Sequence, residues 1–298
     1  MSGIATPMTR FDATDWRRVS RGLLLLAPLL AFLLVFYIMP FANMIGESFS
    51  YWSGDAKTGQ GPTLFQYVKT LESARVLRAL NRTFGIALNT VLITLLLSYP
   101  VAMLLLGVGR RLRTAILLVT FVSLASSLII RNYGWVVVLA DGGAVNSLLM
   151  ALGLIDAPIR LMYSELAITL GLVHYAMPFM ILPIYGTLLR LPPSLREASL
   201  SLGGSEWRTF LHVVLPLSLP GVFGGTMLTF AVSMSAFVTP LMLGSPRTAM
   251  ISQVAAEQLL VQLNFAWGSA IIVVLTVITF AIVAIYAFLL RKVFRADV

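Results

Sequence analysis

The sequence contains no cysteine, and charged residues make up only 11% of its 298 positions. Without cysteine the chain forms no disulfide and no thiolate metal site, and it has no cysteine nucleophile. Globular soluble proteins carry about 25% charged residues, and this chain is 58% hydrophobic. A water-soluble domain of this length could not bury so much apolar surface, so the composition predicts a protein embedded in membrane lipid.

Motifs for catalysis are also missing. The phosphate-binding pattern GxxxxGK[ST] does not occur, because none of the lysines Lys57, Lys69 and Lys292 follows a glycine. The chain has no HExxH zinc motif and no GxSxG nucleophile elbow, and its two histidines, His174 and His212, lie in different segments. We therefore expect a chain that is not an enzyme and that holds no cofactor and no metal.

The net charge of +9 does not indicate nucleic-acid binding, since the basic residues stand in short clusters beside apolar runs. If the N-terminus lies inside and the chain crosses the membrane six times, the segments on the inner side hold 13 basic and five acidic residues. The rest of the chain holds eight basic and seven acidic residues. Basic residues near helix ends are retained on the cytoplasmic side. Both termini are therefore predicted to be cytoplasmic, in a multi-pass membrane protein.

Six apolar stretches approach or exceed the roughly 20 helical residues that a bilayer core requires. Each is predicted to be a helix, because backbone groups in lipid have no water to bond. The stretches are Gly22–Met39, Phe84–Val108, Thr114–Ala140, Leu166–Leu189, Leu217–Leu243 and Ser269–Leu290. The predicted fold is an all-α membrane protein with a tail at 1–21, a transmembrane domain at 22–290 and a tail at 291–298.

The regions between the spans carry further predictions. The first span is interpreted as a retained anchor, because no small-x-small cleavage pattern follows it. Pro40–Thr83 is predicted to be an external loop with a short helix near Thr63–Ala79. Ser245–Gly268 contains a helix-compatible run, Met250–Leu263, which is expected to lie on or dip into the outer face.

Proline and glycine inside the spans predict breaks and close helix contacts. Each proline removes a backbone hydrogen bond; those expected to interrupt helices are Pro100, Pro178, Pro183, Pro220 and Pro240. Gly221 and Gly225 form a small-xxx-small pair that favours tight packing between helices, and Gly224 adds room beside them. Kinks with tight packing explain these residues at least as well as gating does.

The predicted cytoplasmic loop 190–216 reads as a helix–turn–helix elbow. Pro192 and Pro193 stop the fourth span, and Ser194 is expected to cap a short helix, Ser194–Leu202. Gly203 and Gly204 allow a sharp turn. Ser205 is then expected to cap Glu206–Val214, which should end before Pro216. By shape alone, the elbow suits either a groove on a partner protein or the lipid surface.

This loop resembles the E-A-A-x3-G-x9-I-x-L-P loop of permeases in binding-protein-dependent ABC importers. Glu197, Ala198 and Ser199 stand at the E-A-A positions, and Gly203, followed by Gly204, stands at the glycine. Val213, Val214, Leu215 and Pro216 stand for I-x-L-P. Ser199 and Val213 depart mildly from the pattern.

The resemblance implies that this elbow is the coupling helix, which sits in a cleft of a homodimeric cytoplasmic ABC ATPase. It also implies a second, related permease subunit and an external solute-binding protein, with ATP and magnesium held by the ATPase subunits. Glu197 is expected to anchor the elbow by bonding backbone or arginine groups, and Gly203 to permit its turn.

A second resemblance, to spermidine/putrescine-type permeases, rests on Arg131–Trp135, Asp141–Asn146, Thr239–Gly244 and Asn264–Gly268. It implies a polyamine as the solute, while other small organic or phosphorus-containing solutes stay open. Polar groups in the outer halves of the spans are the candidates for the translocation pathway: Arg131, Tyr133, Asp141, Glu165, His174, Tyr175 and Glu257.

These candidates have alternative readings. A polyamine would favour the carboxylates Asp141, Glu165 and Glu257, because a desolvated cation needs an opposite charge, whereas an anionic solute would favour Arg131. Charges near helix ends could instead help to dock the binding protein, and His174 could be a neutral histidine bonded to a neighbouring helix. An ion-driven secondary transporter is a rival class, although neither inverted repeats nor midplane carboxylates are evident.

Overall fold

The computed structural model describes residues 26–51 and 62–296, with side chains described up to residue 290. The described residues form helices joined by turns and contain no strand, which confirms the all-α class. The predicted tail 1–21 and the start of the first span lie outside the described residues. The helices are α1 (Leu26–Ser48), α2 (Phe65–Glu72), α3 (Ala74–Gly107), α4 (Arg110–Ala125), α5 (Leu128–Leu139), α6 (Ala144–Ala151), α7 (Glu165–Leu188), α8 (Pro193–Ser201), α9 (Glu206–Met234), α10 (Val238–Leu243), α11 (Ile251–Leu260) and α12 (Phe265–Ala296).

Six helical segments of the described chain are long and apolar enough to cross a membrane, as predicted. They are α1, α3, Leu128–Ala151 (which joins α5 and α6), α7, α9 and Phe265–Leu290 of α12. The most buried of the six is α7, and α1 is the least. The bundle is therefore built around α7, while α1 and α12 leave apolar surface for lipid or for another chain.

Close packing of α7 against α3 and α9 forms the centre of the bundle. Met180, Ile184 and Leu188 of α7 are buried against Ala102 of α3 and Val222 of α9. α3, α7 and α9 continue past the prolines inside them. Pro100, Pro178, Pro183 and Pro220 therefore remove single hydrogen bonds without ending their helices.

Small residues bring α9 close to α7, as their spacing predicts. A Cβ added to Gly221 would lie 2.6 Å from the carbonyl oxygen of Pro183, and one added to Gly225 would lie 2.7 Å from Sδ of Met180. At Gly224 the nearest atom to an added Cβ would be 3.8 Å away, which is ordinary contact. Gly221 and Gly225 therefore set the distance between the helices, and Gly224 does not.

The predicted third span, Thr114–Ala140, is wrong as a single helix. The backbone leaves the helical conformation at Ser126 and Ser127, between α4 and α5. Serine side chains compete with helical hydrogen bonds, and Ser126 Oγ donates to the Ser123 carbonyl at 3.1 Å. Because the hydrophobic run continues across the break, the apolar pattern does not reveal it.

The predicted fifth span, Leu217–Leu243, is also two helices. α9 ends at Met234, where Ser235 Oγ donates to the carbonyls of Ala231 and Val232 at 3.0 and 3.2 Å. A separate short helix, α10, follows, and Pro240 is its third residue. Since proline lacks the N–H that the interior of a helix requires, it fits better near a helix start.

The first external region holds more helix than predicted. α1 continues to Ser48 and α3 begins at Ala74, so both extend into Pro40–Thr83. Within that stretch, α2 packs against α12: the ammonium group of Lys69 lies 4.0 Å from the ring centre of Trp267, and Trp267 Nε1 donates to Thr70 Oγ1 at 3.2 Å. Partial burial lowers the pKa of Lys69 below its usual value, because burial disfavours its charged form.

Candidate functional site

The elbow between α8 and α9 is a tightly hydrogen-bonded turn. Gly203 has a φ of +85°, which residues with a Cβ rarely adopt. The Gly203 N–H donates to the Leu200 carbonyl and the Gly204 N–H to the Ser199 carbonyl, each at 3.0 Å. This pair of bonds is the Schellman pattern, which satisfies carbonyls left free at a helix end. The sharp turn expected at this position is present.

Side chains of the two arms bond each other across this turn. Arg196 donates to Glu206 at 2.6 Å, and the hydroxyls of Ser199 and Thr209 are 2.9 Å apart. Ser205 Oγ accepts from the Arg208 N–H at 3.3 Å, so the predicted cap is present. The elbow therefore has one shape, fixed by its own residues.

Two local predictions for the elbow are wrong. The helix begins at Pro193, with Pro192 at the cap position and no side-chain cap; the fixed φ of proline suits the first helical position, so Ser194 lies inside the helix. Glu197 is exposed and makes no hydrogen bond or ion pair with the residues that the structure describes, and Arg196 provides the contact expected of it. Glu197 is thus open to a partner, as is the exposed Ala198 beside it.

The second arm runs without a break into the membrane helix, although it was expected to end before Pro216. Residues Phe210–Val214 form a π-helical turn in which the Leu215 N–H bonds the carbonyl of Phe210, five residues back. A wider turn accommodates Pro216, whose ring would clash with a carbonyl four residues back. α9 therefore links the elbow directly to the bundle centre.

Arg131, predicted for the pathway, is buried at the break between α4 and α5. Its guanidinium donates to the Ser123 carbonyl and, at 2.6 Å, to Ser126 Oγ. It also lies over the ring of Tyr175, 5.4 Å from the ring centre. The side chain thus bonds a carbonyl freed by the interrupted helix, which makes Arg131 a structural residue of this break.

We expect Arg131→Met to lower the stability of the protein by about 1–3 kcal/mol, because the charged hydrogen bonds from the buried guanidinium to Ser123 and Ser126 would be lost. Thermal unfolding of the purified protein in detergent measures the effect. The matched control is Arg190→Met, since Arg190 is exposed. Equal melting temperatures for the two variants would contradict the structural role of Arg131.

His174 and Tyr175 lie next to this break. Trp135 Nε1 donates to His174 Nδ1 at 3.2 Å. Since the indole N–H only donates, Nδ1 accepts and carries no proton. This contact is the bond to a neighbouring helix that was considered for His174. The structure therefore brings Arg131, His174 and Tyr175 together at the contact of α5 with α7.

Two of the predicted carboxylates are paired with arginines of α3. Glu257 of α11 forms a bidentate ion pair with Arg75, and Glu165 at the start of α7 accepts from Arg82 Nε at 2.8 Å. Arg82 also donates to the Ala249 carbonyl at 3.2 Å. Both carboxylates therefore hold α7 and α11 to α3, and their charges are balanced.

Tyr133 and Asp141 stand apart from these clusters. Both side chains are exposed, and Asp141 has no hydrogen bond or ion pair within the described chain. Among the three predicted carboxylates, Asp141 alone is free to meet a cation. The described residues contain no group of three or more side chains that could hold a metal ion.

Comparison with known proteins decides the family. The model of the binding-protein-dependent transport system inner membrane component family matches residues 90–295. The chain belongs to this family. It is the permease component of an ABC importer, a transport component and not an enzyme, in the bacterial inner membrane.

Several permeases resemble the chain over most of its length. The spermidine/putrescine transport system permease protein PotB of Escherichia coli (strain K12) is 29% identical over 262 residues, covering 88% of this chain and 95% of that protein. PotB of Salmonella typhimurium (strain SL1344) is 30% identical, covering 87% and 90%.

Solved structures support the fold. A permease chain of a bacterial alginate ABC transporter, in complex with an alginate pentasaccharide-bound periplasmic protein, has a TM-score of 0.79 and 17% identity, covering 95% of this permease and 98% of that chain. A chain of the MetNI methionine ABC transporter in an inward-facing conformation has a TM-score of 0.57 and 18% identity, covering 74% and 96%.

Sequence reasoning missed the arginines that bind the predicted carboxylates in this permease. Arg75 and Arg82 lie 182 and 83 residues from their partners, so no local pattern joins them. One pattern was visible: Arg75, Arg78 and Arg82 are spaced to fall on neighbouring positions of one helix, just before an apolar run.

Proposed function

We propose that this permease forms half of a solute pore together with a second, related permease subunit. A homodimeric cytoplasmic ATPase would dock on the elbow, and an external binding protein would deliver the solute, a polyamine such as putrescine or spermidine. Both termini would then be cytoplasmic. The proposal is carried by the elbow: a rigid turn that exposes apolar side chains and continues directly into the bundle.

The surface of the elbow suits protein docking better than lipid. Leu202 is 89% exposed and Trp207 is 68% exposed, and exposed large apolar side chains on a polar loop are typical of binding surfaces. Exposed charges of both signs surround them, including Arg196, Glu197 and Glu206. A lipid-bound elbow would instead present one continuous apolar face with basic flanks.

A second permease subunit would cover the surface that this chain leaves open. The described part of α1 is exposed along nearly its whole length, and the apolar part of α12 has few buried residues. The centre of the bundle is filled by the packing of α7 against α3 and α9, so a pore between two such chains fits the arrangement. The alginate structure named above also contains a periplasmic protein, which supports the expected external partner.

The polyamine proposal rests on the similarity to PotB proteins and on the free carboxylate of Asp141. A desolvated cation needs an opposite charge, and Glu165 and Glu257 already hold arginines. Asp141 is therefore the carboxylate that we propose meets the polyamine. The alternative is that the permease carries another small organic or phosphorus-containing solute. Uptake measurements with each kind of solute would distinguish this from polyamine transport.

The machinery is tested by purifying the tagged chain from native membranes in mild detergent and identifying its partners by mass spectrometry. We expect an ATPase with a Walker A motif and a second six-span permease. Uptake into proteoliposomes should require ATP and persist when the membrane potential is collapsed. Recovery of the chain alone, with uptake driven by the potential, would instead favour a secondary transporter.

The solute is tested with labelled putrescine in the reconstituted complex. Asp141→Asn should lower the maximal uptake rate about fivefold, as expected from losing about 1 kcal/mol of charge interaction. Asp156→Asn is the matched control, because Asp156 is also an exposed aspartate on the loop that follows α6. Equal putrescine uptake by both variants and the wild type would remove the role of Asp141.

A further inference from the structure

Five arginines form one continuous surface at the end of the bundle opposite the elbow. This arginine surface comprises Arg75, Arg78, Arg82, Arg160 and Arg247. The first three and Arg247 line a cavity of about 350 Å³, and Arg160 and Arg247 line a neighbouring one of about 730 Å³. The two cavities share Pro246 and Arg247, so the arginine surface is unbroken between them.

The surface and the elbow lie at opposite ends of α7. Glu165, at the first residue of α7, bonds Arg82 of the surface, whereas the last residue, Leu188, leads into the elbow. A helix of 24 residues is about 36 Å long. When the elbow faces the cytoplasm, the arginine surface therefore faces outward.

Within the described part of the chain, carboxylates neutralise two of the five arginines. Arg75 pairs with Glu257 and Arg82 with Glu165. Arg78, Arg160 and Arg247 are exposed and have no ion pair among the described residues. Arg160 lies over the ring of Tyr163 at 5.9 Å. The surface thus presents three unpaired positive charges on a framework that two ion pairs hold in place.

These charges oppose two local preferences. The positive end of the dipole of α3 lies at its N-terminus and disfavours cations there, yet Arg75 is the second residue of α3 and the first turn holds no acidic residue. Basic residues are also less common on the external side of a membrane than on the cytoplasmic side. Glu257 compensates Arg75, but Arg78, Arg160 and Arg247 have no ion pair among the described residues. Residues that break local rules without compensation are expected at functional sites.

The framework beneath the arginines is rigid. Arg247 lies in the 3-10 turn Pro246–Thr248, where Ser245 N–H donates to Thr248 Oγ1 at 2.7 Å. The neighbouring α11 is fixed to α3 by the Ile251 N–H, which donates to Thr83 Oγ1 at 2.9 Å. The positions of the charges are therefore set before any partner arrives.

We propose that the arginine surface docks the external binding protein through acidic residues on that protein, with Arg78, Arg160 and Arg247 as the contacts. This inference rests on the proposed function. Three charges spread over two adjoining cavities match a protein surface better than one small anion. The same positive field repels a free polycation, so a polyamine would enter only when the binding protein covers the surface.

The test uses the complete transporter in nanodiscs and the binding protein that co-purifies with it. ATP hydrolysis is measured against binding-protein concentration for the wild type, for Arg78→Glu/Arg160→Glu/Arg247→Glu, and for the matched triple lysine variant. We expect the glutamate variant to need at least about tenfold more binding protein for half-maximal stimulation, because each attraction becomes a repulsion. Basal hydrolysis and the lysine variant should stay near wild type.

The wild type alone gives a second measurement, which holds even if the glutamate variant fails to assemble. Raising NaCl from about 50 to about 300 mM should increase the binding-protein concentration for half-maximal stimulation severalfold, because salt screens exposed charges.

If neither salt nor charge reversal changes this half-maximal concentration, the arginine surface does not dock the binding protein. An effect seen only in nanodiscs of phosphatidylglycerol and not of phosphatidylcholine would also overturn the docking role, because it would assign the arginines to lipid headgroups. A wild-type complex that the binding protein does not stimulate would overturn the proposed function itself.

Discussion

Gly203→Val is expected to lower both solute uptake and stimulated ATP hydrolysis by about tenfold or more. Gly203 has a φ of +85°, and a β-branched residue is strained in that region by about 1–3 kcal/mol. The elbow would relieve the strain by opening the turn, which would break the bonds from Gly203 and Gly204 to Leu200 and Ser199. The exposed side chains that we propose contact the ATPase would then lose their fixed orientation.

The control for this prediction is Gly203→Asn, because asparagine tolerates positive φ better than other residues with side chains. An added Cβ at Gly203 meets nothing within 4 Å, so size alone does not explain a loss in the valine variant. We expect the asparagine variant to keep most of the uptake. Wild-type uptake and stimulated hydrolysis in the valine variant would show that the turn is not needed for coupling.

The mechanical reason for a large effect lies in the continuity of α9. From Glu206 to Met234 it is one helix, and it packs against α7 at the centre of the bundle. A force on the docked elbow therefore acts directly on the helices that Gly221 and Gly225 bring together. A loosened turn would absorb that movement before it reached the membrane.

The sequence predicted the elbow because its determinants are local. Pro193, Gly203 and Ser205 each act on backbone within a few residues, so their positions indicate where helices start and turn. The one-residue error at the start of α8 has the same origin, since both Pro193 and Ser194 suit a helix start and only the structure shows which was used.

The features that the sequence did not predict depend on side-chain contacts that the apolar pattern does not encode. The break at Ser126 and Ser127 lies within a continuous apolar run, and Arg131 stabilises it through a side chain that was expected to face the pathway. The ion pairs of Glu165 and Glu257 join segments far apart in sequence. Hydrophobic periodicity contains no information on such pairs, so the carboxylates looked free when they are not.

Gly221→Ala should lower the free energy of unfolding by about 1–3 kcal/mol, which is the usual range for overpacking a tight contact. The added methyl would lie 2.5 Å from Thr187 Oγ1, 2.6 Å from the Pro183 carbonyl oxygen and 2.9 Å from Cα of Ile184. Two of these atoms belong to the backbone of α7, so no side-chain rotation relieves the clash. Thermal unfolding in detergent and the yield of assembled complex measure the effect.

Gly225→Ala should be milder, because its nearest neighbour is the flexible end of Met180, at 2.7 Å, although Cα of Met180 is only 3.1 Å away. Gly224→Ala is the matched control in the same turn, and it should leave stability unchanged or raise it slightly, since alanine favours helices over glycine by up to about 1 kcal/mol. Gly224→Ala should therefore be the most stable of the three variants, Gly225→Ala intermediate and Gly221→Ala the least stable. If all three variants unfolded at the same temperature, the close approach of α9 to α7 at Gly221 would not be what holds the bundle together.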